Sequence, residues 1–372
     1  MKILHVYRTC YPETKGGVEQ VIRYICQGMD NLGAQSKVLS VSSNKQHKEL
    51  YVGSSEILLC AKDFEIASNS FSFKLFPKFR QLAQWADIIH YHYPWPTGDL
   101  LALFDNNKPT IVTYHSDIIK QKTLKLLYRP LEQYFLSKVD LIVATSPQYA
   151  QSSPNLTKYK NKTHIVPLAV NPDDYRKQDY SWNPDENLSH VGSDYFLFLG
   201  VLRYYKGLNY LLEAAKSTNL KVVIAGKGPL EAELKKRIKK EKIHNIKMLG
   251  YVSEQDKLKL LYHCKAFVFP SHVRSEAFGV SLIEAQMFSK PIISCDIGTG
   301  TSHVNVHNET GVVVQAANTI SLREAMMKLA SEPDLCKKYG RMGYQRAMNN
   351  FTINHQADEY NRLYKKLITN KS

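Results

Sequence analysis

Apolar residues along the first forty positions follow two different spacings. A short apolar run at 3–6 is typical of a buried strand, and 34–41 has the same character. Between these runs, apolar side chains recur every three or four residues, which predicts a helix that ends at Gly33. The order is therefore strand, loop, helix, strand, with Gly16 and Gly17 where the helix starts. The apolar positions of this helix are Val18, Val21, Ile22, Ile25, Met29 and Leu32.

The rest of the first half alternates in the same way between short apolar runs and helical spacing. Residues 44–80 are mixed in character and predicted to be irregular, and 91–99 form an aromatic loop interrupted by prolines. A helix is predicted at 118–136. Such alternation favours a parallel, doubly wound sheet. The predicted strands are 85–90, 108–114, 141–144 and 165–167.

A polar stretch divides the chain into two domains. Residues 171–194 show little periodicity and contain Asn183-Pro184, as expected of a linker. The strand and helix alternation then restarts, which predicts domains at 1–170 and 195–352. The fold class is therefore α/β, with two doubly wound, Rossmann-like parallel-sheet domains that face a central cleft. The strands of the second domain are predicted at 195–200, 221–225, 246–249, 266–270, 292–293 and 312–314.

Composition narrows the class of protein without choosing a function. Of 372 residues, 44% are hydrophobic and 22% charged, as in a globular enzyme, and the net charge is +15. This excess fits anionic ligands, anionic membrane surfaces or nucleic acid. The six cysteines never form Cys-x-x-Cys, which indicates reduced, mostly buried thiols in the cytoplasm. MKILHVYR is too short for a secretory signal, and no apolar run is long enough to span a bilayer, so membrane contact would be peripheral.

The stretch SEAFGVSLIEA carries the clearest candidate chemistry. Glu276 lies on a loop and Glu284 inside the helix that follows, while Phe278 and Gly279 lead the chain into the first turn. Backbone N–H groups at a helix start can hold a phosphate, and glycine allows it to approach closely. The two carboxylates can bind sugar hydroxyls on either side. A surface helix with two solvated glutamates is the alternative interpretation.

Further polar residues follow other strands of the second domain. Arg203 and Lys206 come after its first strand, and Gly226 after a later one. Because the carboxyl ends of parallel strands meet at one edge of a sheet, these residues and the glutamates are predicted to face one crevice. Two cations, a helix N-terminus and two carboxylates suit a diphosphate joined to polyhydroxylated rings.

Three features of the first domain have both a functional and a structural interpretation. Gly16 and Gly17 either bring backbone amides to a phosphate or serve the geometry of a tight turn. His115, at the end of a predicted strand, either binds a ligand or is a capping or core histidine. The basic helix 118–136 either packs on the sheet or also meets anionic lipid.

Several segments together resemble one enzyme family. GVLRYYKG, VIAGKGPL, LGYVS and SEAFGVSLIEA look like the signature segments of retaining GT-B glycosyltransferases of the GT4 type, and the two glutamates match that family's Glu-x7-Glu motif. KGGVEQV and TYHSD match motifs of its first domain, so the resemblance covers essentially the whole chain. MKILHVYRTCYPETKGGVEQVI and IGTGTSHVN…ETGVVV look closest to bacterial O-antigen mannosyltransferases that use GDP-mannose.

The resemblance implies a role for each matching residue. Gly16, Gly17, Arg203 and Lys206 would contact the diphosphate, Gly226 would line the donor site, and His115 and Glu276 would bind the transferred sugar. It also implies that the last helix, 353–372, packs back on the first domain. The implied catalytic residues are His115, Arg203, Lys206 and Glu276; the implied donor-binding residues are Gly16, Gly17, Arg203, Lys206, Gly226, Tyr251, Val252, Glu276, Phe278, Gly279 and Glu284, with Glu284 on the ribose and Tyr251 and Val252 at the base.

The family retains anomeric configuration and requires no metal or other cofactor besides its nucleotide-sugar donor. No Asp-x-Asp stands in a plausible metal-binding loop, and two cations can replace the charge of a metal. No carboxylate is marked as a nucleophile, which favours a same-face route in which the departing phosphate helps to deprotonate the acceptor. The expected acceptor is a glycan, with a lipid-linked oligosaccharide at the inner leaflet favoured by the basic helix 118–136.

Other functions remain open from the sequence. The donor could be UDP-glucose or UDP-N-acetylglucosamine, because base recognition in this fold uses backbone groups. A nucleotide-sugar epimerase would share the fold and need no acceptor. A binder of nucleic acid or anionic surfaces would need a basic stripe interleaved with aromatics, whereas these basic residues are dispersed. A nucleic-acid partner is therefore not expected. A glycosidase would not need phosphate-binding parts.

Overall fold

The computed structural model describes residues 1–44, 46–66, 69–104, 107–118, 122–176, 180–181 and 188–371. The chain divides into two compact units. Unit 1 consists of Met1–Ala169 and Ile353–Ser372, and unit 2 of Val170–Thr352. Of the described helices, none combines the length and the apolar character needed to cross a bilayer.

Unit 1 is built around a sheet whose strands are almost all parallel. Its strands are β1 (Lys2–Val6), β2 (Gln35–Ser42), β3 (Lys48–Val52), β4 (Ser55–Ala61), β5 (Phe64–Ile66), β6 (Asn69–Phe71), β7 (Ile88–Tyr93), β8 (Thr110–Tyr114), β9 (Leu141–Ala144) and β10 (Thr163–Ile165). In the described part of the unit, eight strands form one sheet in the order β10-β9-β8-β7-β1-β2-β4-β3. Only the edge strand β3 runs antiparallel, and β5 and β6 form a separate hairpin.

Five α-helices lie in the described part of Met1–Ala169, the first segment of unit 1. They are α1 (Gly17–Asn31), α2 (Leu75–Trp85), α3 (Pro96–Leu101), α4 (Lys122–Lys138) and α5 (Pro147–Ser152). Helix α1 buries the middle of the predicted apolar stripe, including Val21, Ile25 and Met29, whereas Leu32 follows the helix and is 46% exposed. For the predicted basic helix, α4 begins at Lys122, and residues 119–121 lie outside the described part of the chain.

Unit 2 contains a second parallel sheet. Its strands are β11 (Phe196–Leu199), β12 (Val222–Ala225), β13 (Ile246–Gly250), β14 (Ala266–Phe269), β15 (Ile292–Asp296) and β16 (Gly311–Gln315). They pair in parallel in the order β13-β12-β11-β14-β15-β16. The helices are α6 (Leu208–Lys216), α7 (Glu231–Lys240), α8 (Glu254–His263), α9 (Val280–Met287), α10 (Thr301–Val304), α11 (Thr319–Ser331) and α12 (Pro333–Asn350).

The last helix, α13 (Ile353–Lys371), belongs to unit 1. It packs against α1 so closely that a side chain at Gly28 would lie 2.8 Å from Cβ of Ala357 and 2.9 Å from the carbonyl oxygen of Ile353. Tyr360 and Tyr364 of α13 are fully buried. The carboxyl-terminal segment therefore covers one face of the first sheet.

Each sheet extends in both directions from an inner strand, which is β1 in unit 1 and β11 in unit 2. The predicted doubly wound α/β fold class is thus confirmed. The chain reverses its direction of winding between β1 and β7 and between β11 and β14, and ligands of such sheets bind beyond the strand ends at these switch points.

Two predictions about unit 1 are wrong. Residues 44–80 are not irregular, because they contain strands β3 to β6 and the first part of α2. The apolar run of β4 pairs with β2, whereas β3 is a half-exposed edge strand whose mixed residues hide it in the sequence. The strand predicted at 85–90 lies instead at Ile88–Tyr93, since buried histidine and tyrosine side chains continue it into the predicted loop.

The predicted linker is only partly described. Residues 177–179 and 182–187 lie outside the described residues. Before them lies a short 3-10 helix, Pro172–Tyr175, which is capped by Asn171, whose side chain accepts a hydrogen bond from the Asp173 N–H. Tyr175 is buried within unit 2, so this part of the stretch packs as part of that unit.

Candidate functional site

An ion pair lies at the switch point of unit 2. The chain leaves β11 into a short 3-10 helix, Tyr204–Lys206, and leaves β14 into the loop that carries Glu276. The Lys206 Nζ lies 2.5 Å from Oε2 of Glu276. The Ser271 hydroxyl donates to the same oxygen at 3.1 Å. Both partners of the ion pair are buried, and a buried carboxylate held by two donors has a fixed position.

Glycine geometry brings these two loops together. Gly207 has φ +68°, and a Cβ there would lie 1.9 Å from the carbonyl oxygen of Pro270. Only a residue without a side chain permits this approach. The ammonium of Lys206 also lies 4.5 Å from the centre of the Phe269 ring, an attractive cation–π arrangement. Arg203 directly precedes the same 3-10 helix, and its side chain is exposed.

A second ion pair lies on helix α9. Gly279 precedes the helix with φ +90°, a conformation that glycine adopts readily, and Phe278 beside it is buried. Glu284 of α9 receives the Lys257 ammonium at 2.7 Å and the Tyr175 hydroxyl at 3.2 Å. Burial opposes the charge of Lys257, but Glu284 and Glu254 outweigh this effect and raise its pKa. The carboxylate of Glu284 is therefore held by a permanent cation.

The remaining predicted residues of unit 2 have less specific surroundings. Gly226 has φ +135°, and a Cβ there would lie 2.0 Å from the carbonyl oxygen of Gly200, so close packing of two loops explains this glycine. Tyr251 is 73% exposed and Val252 is half-buried, both directly after β13. An exposed ring at this edge is available to a ligand.

The glycine pair of unit 1 lies at the start of α1. Gly16 precedes the helix and Gly17 is its first residue. A Cβ on Gly16 would lie 2.3 Å from Oε2 of Glu19, whose Oε1 accepts hydrogen bonds from the hydroxyls of Thr9 and Thr14. Gly17 has open space around it. The first glycine thus makes room for a fixed carboxylate, and the second leaves the helix start accessible.

His115 directly follows β8, and its N–H continues the sheet by donating to the Tyr93 carbonyl. Its Nε2 lies 3.1 Å from Nδ1 of His92, and Nε2 of His92 lies 3.1 Å from Nδ1 of His5. Burial lowers the pKa of His115 and that of His5 to about 3, and it also lowers the pKa of His92. These imidazoles are consequently neutral at pH 7.

Ligand nitrogens of His5, His90 and His92 lie within 4.8 Å of one another, close enough to raise the question of a metal. Both nitrogens of His90 are already 2.7 Å from hydroxyl oxygens, those of Tyr364 and Thr113. Both nitrogens of His92 are bonded to other imidazoles. A metal ion would have to break these bonds, so the arrangement favours a hydrogen-bonded cluster.

Sequence reasoning missed the partners that hold the predicted residues. Ser271 lies five positions before Glu276, and a hydroxyl so close in sequence could have been predicted to bind that carboxylate. His92 stands two residues after the buried His90, which places both on one face of a strand. Tyr175 and Lys257 are 109 and 27 positions from Glu284, so no local pattern could reveal them.

The chain is similar along its full length to enzymes that transfer sugars. The family described as "Glycosyl transferases group 1" matches residues 182–346, and "Glycosyltransferase Family 4" matches residues 15–174. The O-antigen chain mannosyltransferase C of Escherichia coli is 41% identical over 377 residues, covering 100% of each chain. The D-rhamnosyltransferase WbpZ of Pseudomonas aeruginosa is 43% identical over 357 residues, covering 95% of this chain and 92% of that protein. Among solved structures, a sucrose-phosphate synthase from Thermosynechococcus elongatus has a TM-score of 0.79 at 16% identity, with 99% of each chain covered, a likeness of fold.

Proposed function

We propose that this chain, which belongs to the GT-B glycosyltransferases of the GT4 family, transfers mannose from GDP-mannose to a growing O-antigen chain. The observation that carries this proposal is the end-to-end match with a mannosyltransferase of that pathway. The geometry of unit 2 supports it, because two carboxylates that are each held by a lysine, Glu276 by Lys206 and Glu284 by Lys257, suit the hydroxyls of a sugar joined to a diphosphate.

In unit 2, Lys206 and Arg203 are proposed to bind the diphosphate. The Lys206 ammonium has three donors, so it can keep Glu276 and still bind a phosphate oxygen. Glu276 then accepts hydrogen bonds from hydroxyls of the transferred sugar, and the backbone amides of Phe278 and Gly279 assist at the start of α9. Positive charge placed before the reaction stabilises the departing diphosphate without reorganisation.

The nucleoside end is assigned to the second ion pair. Glu284 is proposed to accept hydrogen bonds from the ribose hydroxyls, since Lys257 and Tyr175 fix its carboxylate. Tyr251 and Val252 after β13 are proposed to meet the base, with Gly226 lining the same edge of the sheet. In unit 1, Gly16 and Gly17 are proposed to contact the diphosphate, and His115 a hydroxyl of the transferred sugar.

The proposed reaction retains anomeric configuration. The bond between the sugar anomeric carbon and the diphosphate oxygen breaks, and the acceptor oxygen attacks from the same face. The departing phosphate oxygen takes the acceptor proton, so no metal or protein nucleophile is required. A covalent sugar trapped on His115 or on a carboxylate would contradict this route.

D-rhamnose competes with mannose as the transferred sugar. The similarity to a D-rhamnosyltransferase favours D-rhamnose, which is mannose without its 6-hydroxyl. A site that binds this hydroxyl rejects the deoxy sugar by about 10⁴-fold, whereas an apolar site rejects the hydroxyl by only about 10²-fold. Comparing kcat/KM for the two donors therefore identifies the sugar and the polarity of the pocket that reads it.

The donor is tested first by thermal stability with GDP, UDP, dTDP and ADP and their sugar conjugates. A ligand at a hundred times its Kd should stabilise the folded protein by about 2.7 kcal/mol. Stabilisation by GDP and GDP-mannose alone is expected. Selective stabilisation by UDP ligands would replace the donor, and no response to any nucleotide would contradict the site.

The acceptor is proposed to be lipid-linked, with the protein peripheral on the inner leaflet of the cytoplasmic membrane. Leu126 and Leu127 of α4 are 69% and 80% exposed, and the exposed Arg129 follows them. Exposed apolar and basic groups on one helix suit an anionic lipid surface. Leu103 and Phe104, in a 3-10 helix that packs against α4, are also exposed.

Cosedimentation with vesicles tests this surface. Replacing Leu126 and Leu127 by aspartate should reduce binding to vesicles rich in phosphatidylglycerol at least tenfold. Ile320→Asp is the matched control, because Ile320 is 58% exposed on unit 2 and lies outside the proposed surface. Equal binding of the double variant and the wild type would remove α4 from the proposal.

A further inference from the structure

Four buried histidines lie on one face of the first sheet. His5 of β1 is in register with His90 of β7, and His92 is two residues further along β7. His92 is in register with Thr113 of β8, and His115 stands two residues beyond Thr113. Because side chains of a strand alternate between faces, these positions share the face covered by Tyr360 and Tyr364.

Three of these imidazoles form a continuous hydrogen-bonded row. His115 Nε2 is 3.1 Å from His92 Nδ1, and His92 Nε2 is 3.1 Å from His5 Nδ1. The row ends at Nε2 of His5, which is buried and has no hydrogen-bond partner within the described part of the chain. His90 stacks beside the row, with its ring centre 4.3 Å from that of His92, but its nitrogens bond to hydroxyls.

Neutral imidazoles impose a direction on such a row. Each neutral ring has one N–H donor and one lone-pair acceptor. His92 is bonded through both nitrogens, so it donates to one neighbour and accepts from the other. All three N–H groups must therefore point the same way, either towards His115 or towards His5.

The unpartnered nitrogen of His5 selects between these directions. If the N–H groups pointed towards His5, its Nε2 would carry a buried hydrogen without an acceptor. In the opposite direction the same atom keeps only a lone pair, and buried donors without a partner are rarer than incompletely satisfied acceptors. The N–H groups consequently point towards His115, which accepts at Nε2 and carries its own proton on Nδ1.

We propose that His92 and His5 are positioning residues that hold His115 as its Nδ1–H tautomer, so that it offers a hydrogen-bond donor to the transferred sugar. This inference rests on the proposed role of His115 as a sugar contact. The donor would meet a hydroxyl or ring oxygen of the sugar, and the opposite tautomer would present a lone pair to the same atom. The row thus sets the polarity of a sugar contact from residues that do not themselves touch the sugar.

Nitrogen-15 NMR of the full chain labelled at histidine tests the inference without any turnover. The His115 resonances, assigned by their loss in His115→Gln, should show a protonated Nδ1 and an unprotonated Nε2. In His92→Phe, which keeps an aromatic ring in the stack, His115 should move towards the Nε2–H tautomer because Nε2 has lost its donor. His90→Phe is the matched control and should leave the tautomer of His115 unchanged.

Kinetics provide the second measurement. His92→Phe should lower kcat for mannosyl transfer at least tenfold while changing KM for the donor less, and His92→Gln, which keeps a donor and an acceptor, should recover part of the loss. A wild-type His115 with its proton on Nε2, or a tautomer unchanged in His92→Phe, would overturn the inference. If the tautomer behaves as expected but no mannose is transferred, the proposed function fails and the tautomer assignment stands.

Discussion

The two units share a topology, yet the polar side chains at their switch points differ in charge. In unit 1, polar side chains in the strands and directly after them form neutral contacts among imidazoles and hydroxyls, such as His92 with His115 and His90 with Thr113. In unit 2, residues of the loops beyond the strands form ion pairs, such as Lys206 with Glu276. The two switch points therefore occupy the same place in the topology but differ in the charge of their polar side chains, because a fold does not determine which residues stand beyond its strand ends.

The largest expected difference between the two units is in how much stability each loses in acid. Burial lowers the pKa of His5 and His115 from 6.5 to about 3. Below pH 6.5 the unfolded chain therefore binds protons at these two residues that the folded chain does not bind. The stability that depends on these two neutral imidazoles is present above pH 6.5 and is lost as the pH falls towards 3. Each of these two groups should cost about 2 kcal/mol of unfolding free energy between pH 6.5 and pH 5.

Hydrogen exchange locates this loss. Amides of β7 and β8 should lose protection at a higher pH than those of β11 and β14. In unit 2, burial and Arg346 lower the pKa of His303 to about 4, which supplies a smaller acid response there. Earlier loss of protection in unit 2 would contradict the comparison.

Glu276→Gln should have the largest effect on activity. The substitution removes the charge that compensates the buried Lys206 and weakens contacts to the sugar hydroxyls. We expect kcat/KM to fall by about 10²- to 10³-fold, the usual loss for one preorganised polar group. Release of GDP from GDP-mannose measures it.

Glu324→Gln, an exposed position on α11, is the control and should stay within about twofold of the wild type. A folded Glu276→Gln protein with near-normal turnover would remove Glu276 from the site.

Gly207→Ala should destabilise the loop that carries Lys206. The new Cβ would lie 1.9 Å from the Pro270 carbonyl oxygen, and φ +68° adds a backbone cost. The expected loss of unfolding free energy in urea is about 2–4 kcal/mol. Gly33→Ala has a similar φ of +74° with nothing within 4 Å, so it should lose only about 1 kcal/mol. Equal losses would show that the close approach of the two loops does not matter.

Tyr175→Phe should have the smallest effect. It removes one hydrogen bond to Glu284 while Lys257 keeps the carboxylate in place. Calorimetry should show that GDP binds about fivefold more weakly, or about 1 kcal/mol. Tyr262→Phe, at a half-exposed ring, should bind GDP as the wild type does. If Tyr175→Phe weakened GDP binding more than Lys257→Met does, Tyr175 rather than Lys257 would be the main group that holds Glu284.

The sequence predicted the sheets well where strands are apolar on both faces. The apolar run Phe196–Leu199 is a strand as predicted, whereas β7 carries His90, Tyr91 and His92 in its interior and overlaps the predicted loop 91–99. The nitrogens of His90 and His92 are tolerated inside the strand because hydroxyls and imidazoles of unit 1 form hydrogen bonds with them. The strand that departs from the apolar pattern, β7, is thus the one that carries the buried histidines next to the predicted site residue His115.

For the candidate site, the sequence predicts which residues lie at strand ends, but it does not predict which side chains pair with one another. Strand ends located Lys206 and Glu276 on one sheet edge, and the structure joins them in an ion pair. The pairing of Glu284 with Lys257 depends on how α8 lies beside α9, which no local spacing encodes. The position of Gly226 after a strand predicts a donor contact, although close packing against Gly200 is enough to explain a glycine there.

Transfer of mannose from GDP-mannose to a lipid-linked oligosaccharide with mannose at its growing end tests the central claim most directly. Mass spectrometry of the acceptor, followed by NMR of the new linkage, should show one added hexose with the anomeric configuration of the donor. An inverted linkage would contradict the retaining route. Release of GDP with no change in the acceptor, or turnover of the donor when the acceptor is omitted, would contradict the assignment of the chain as a mannosyltransferase.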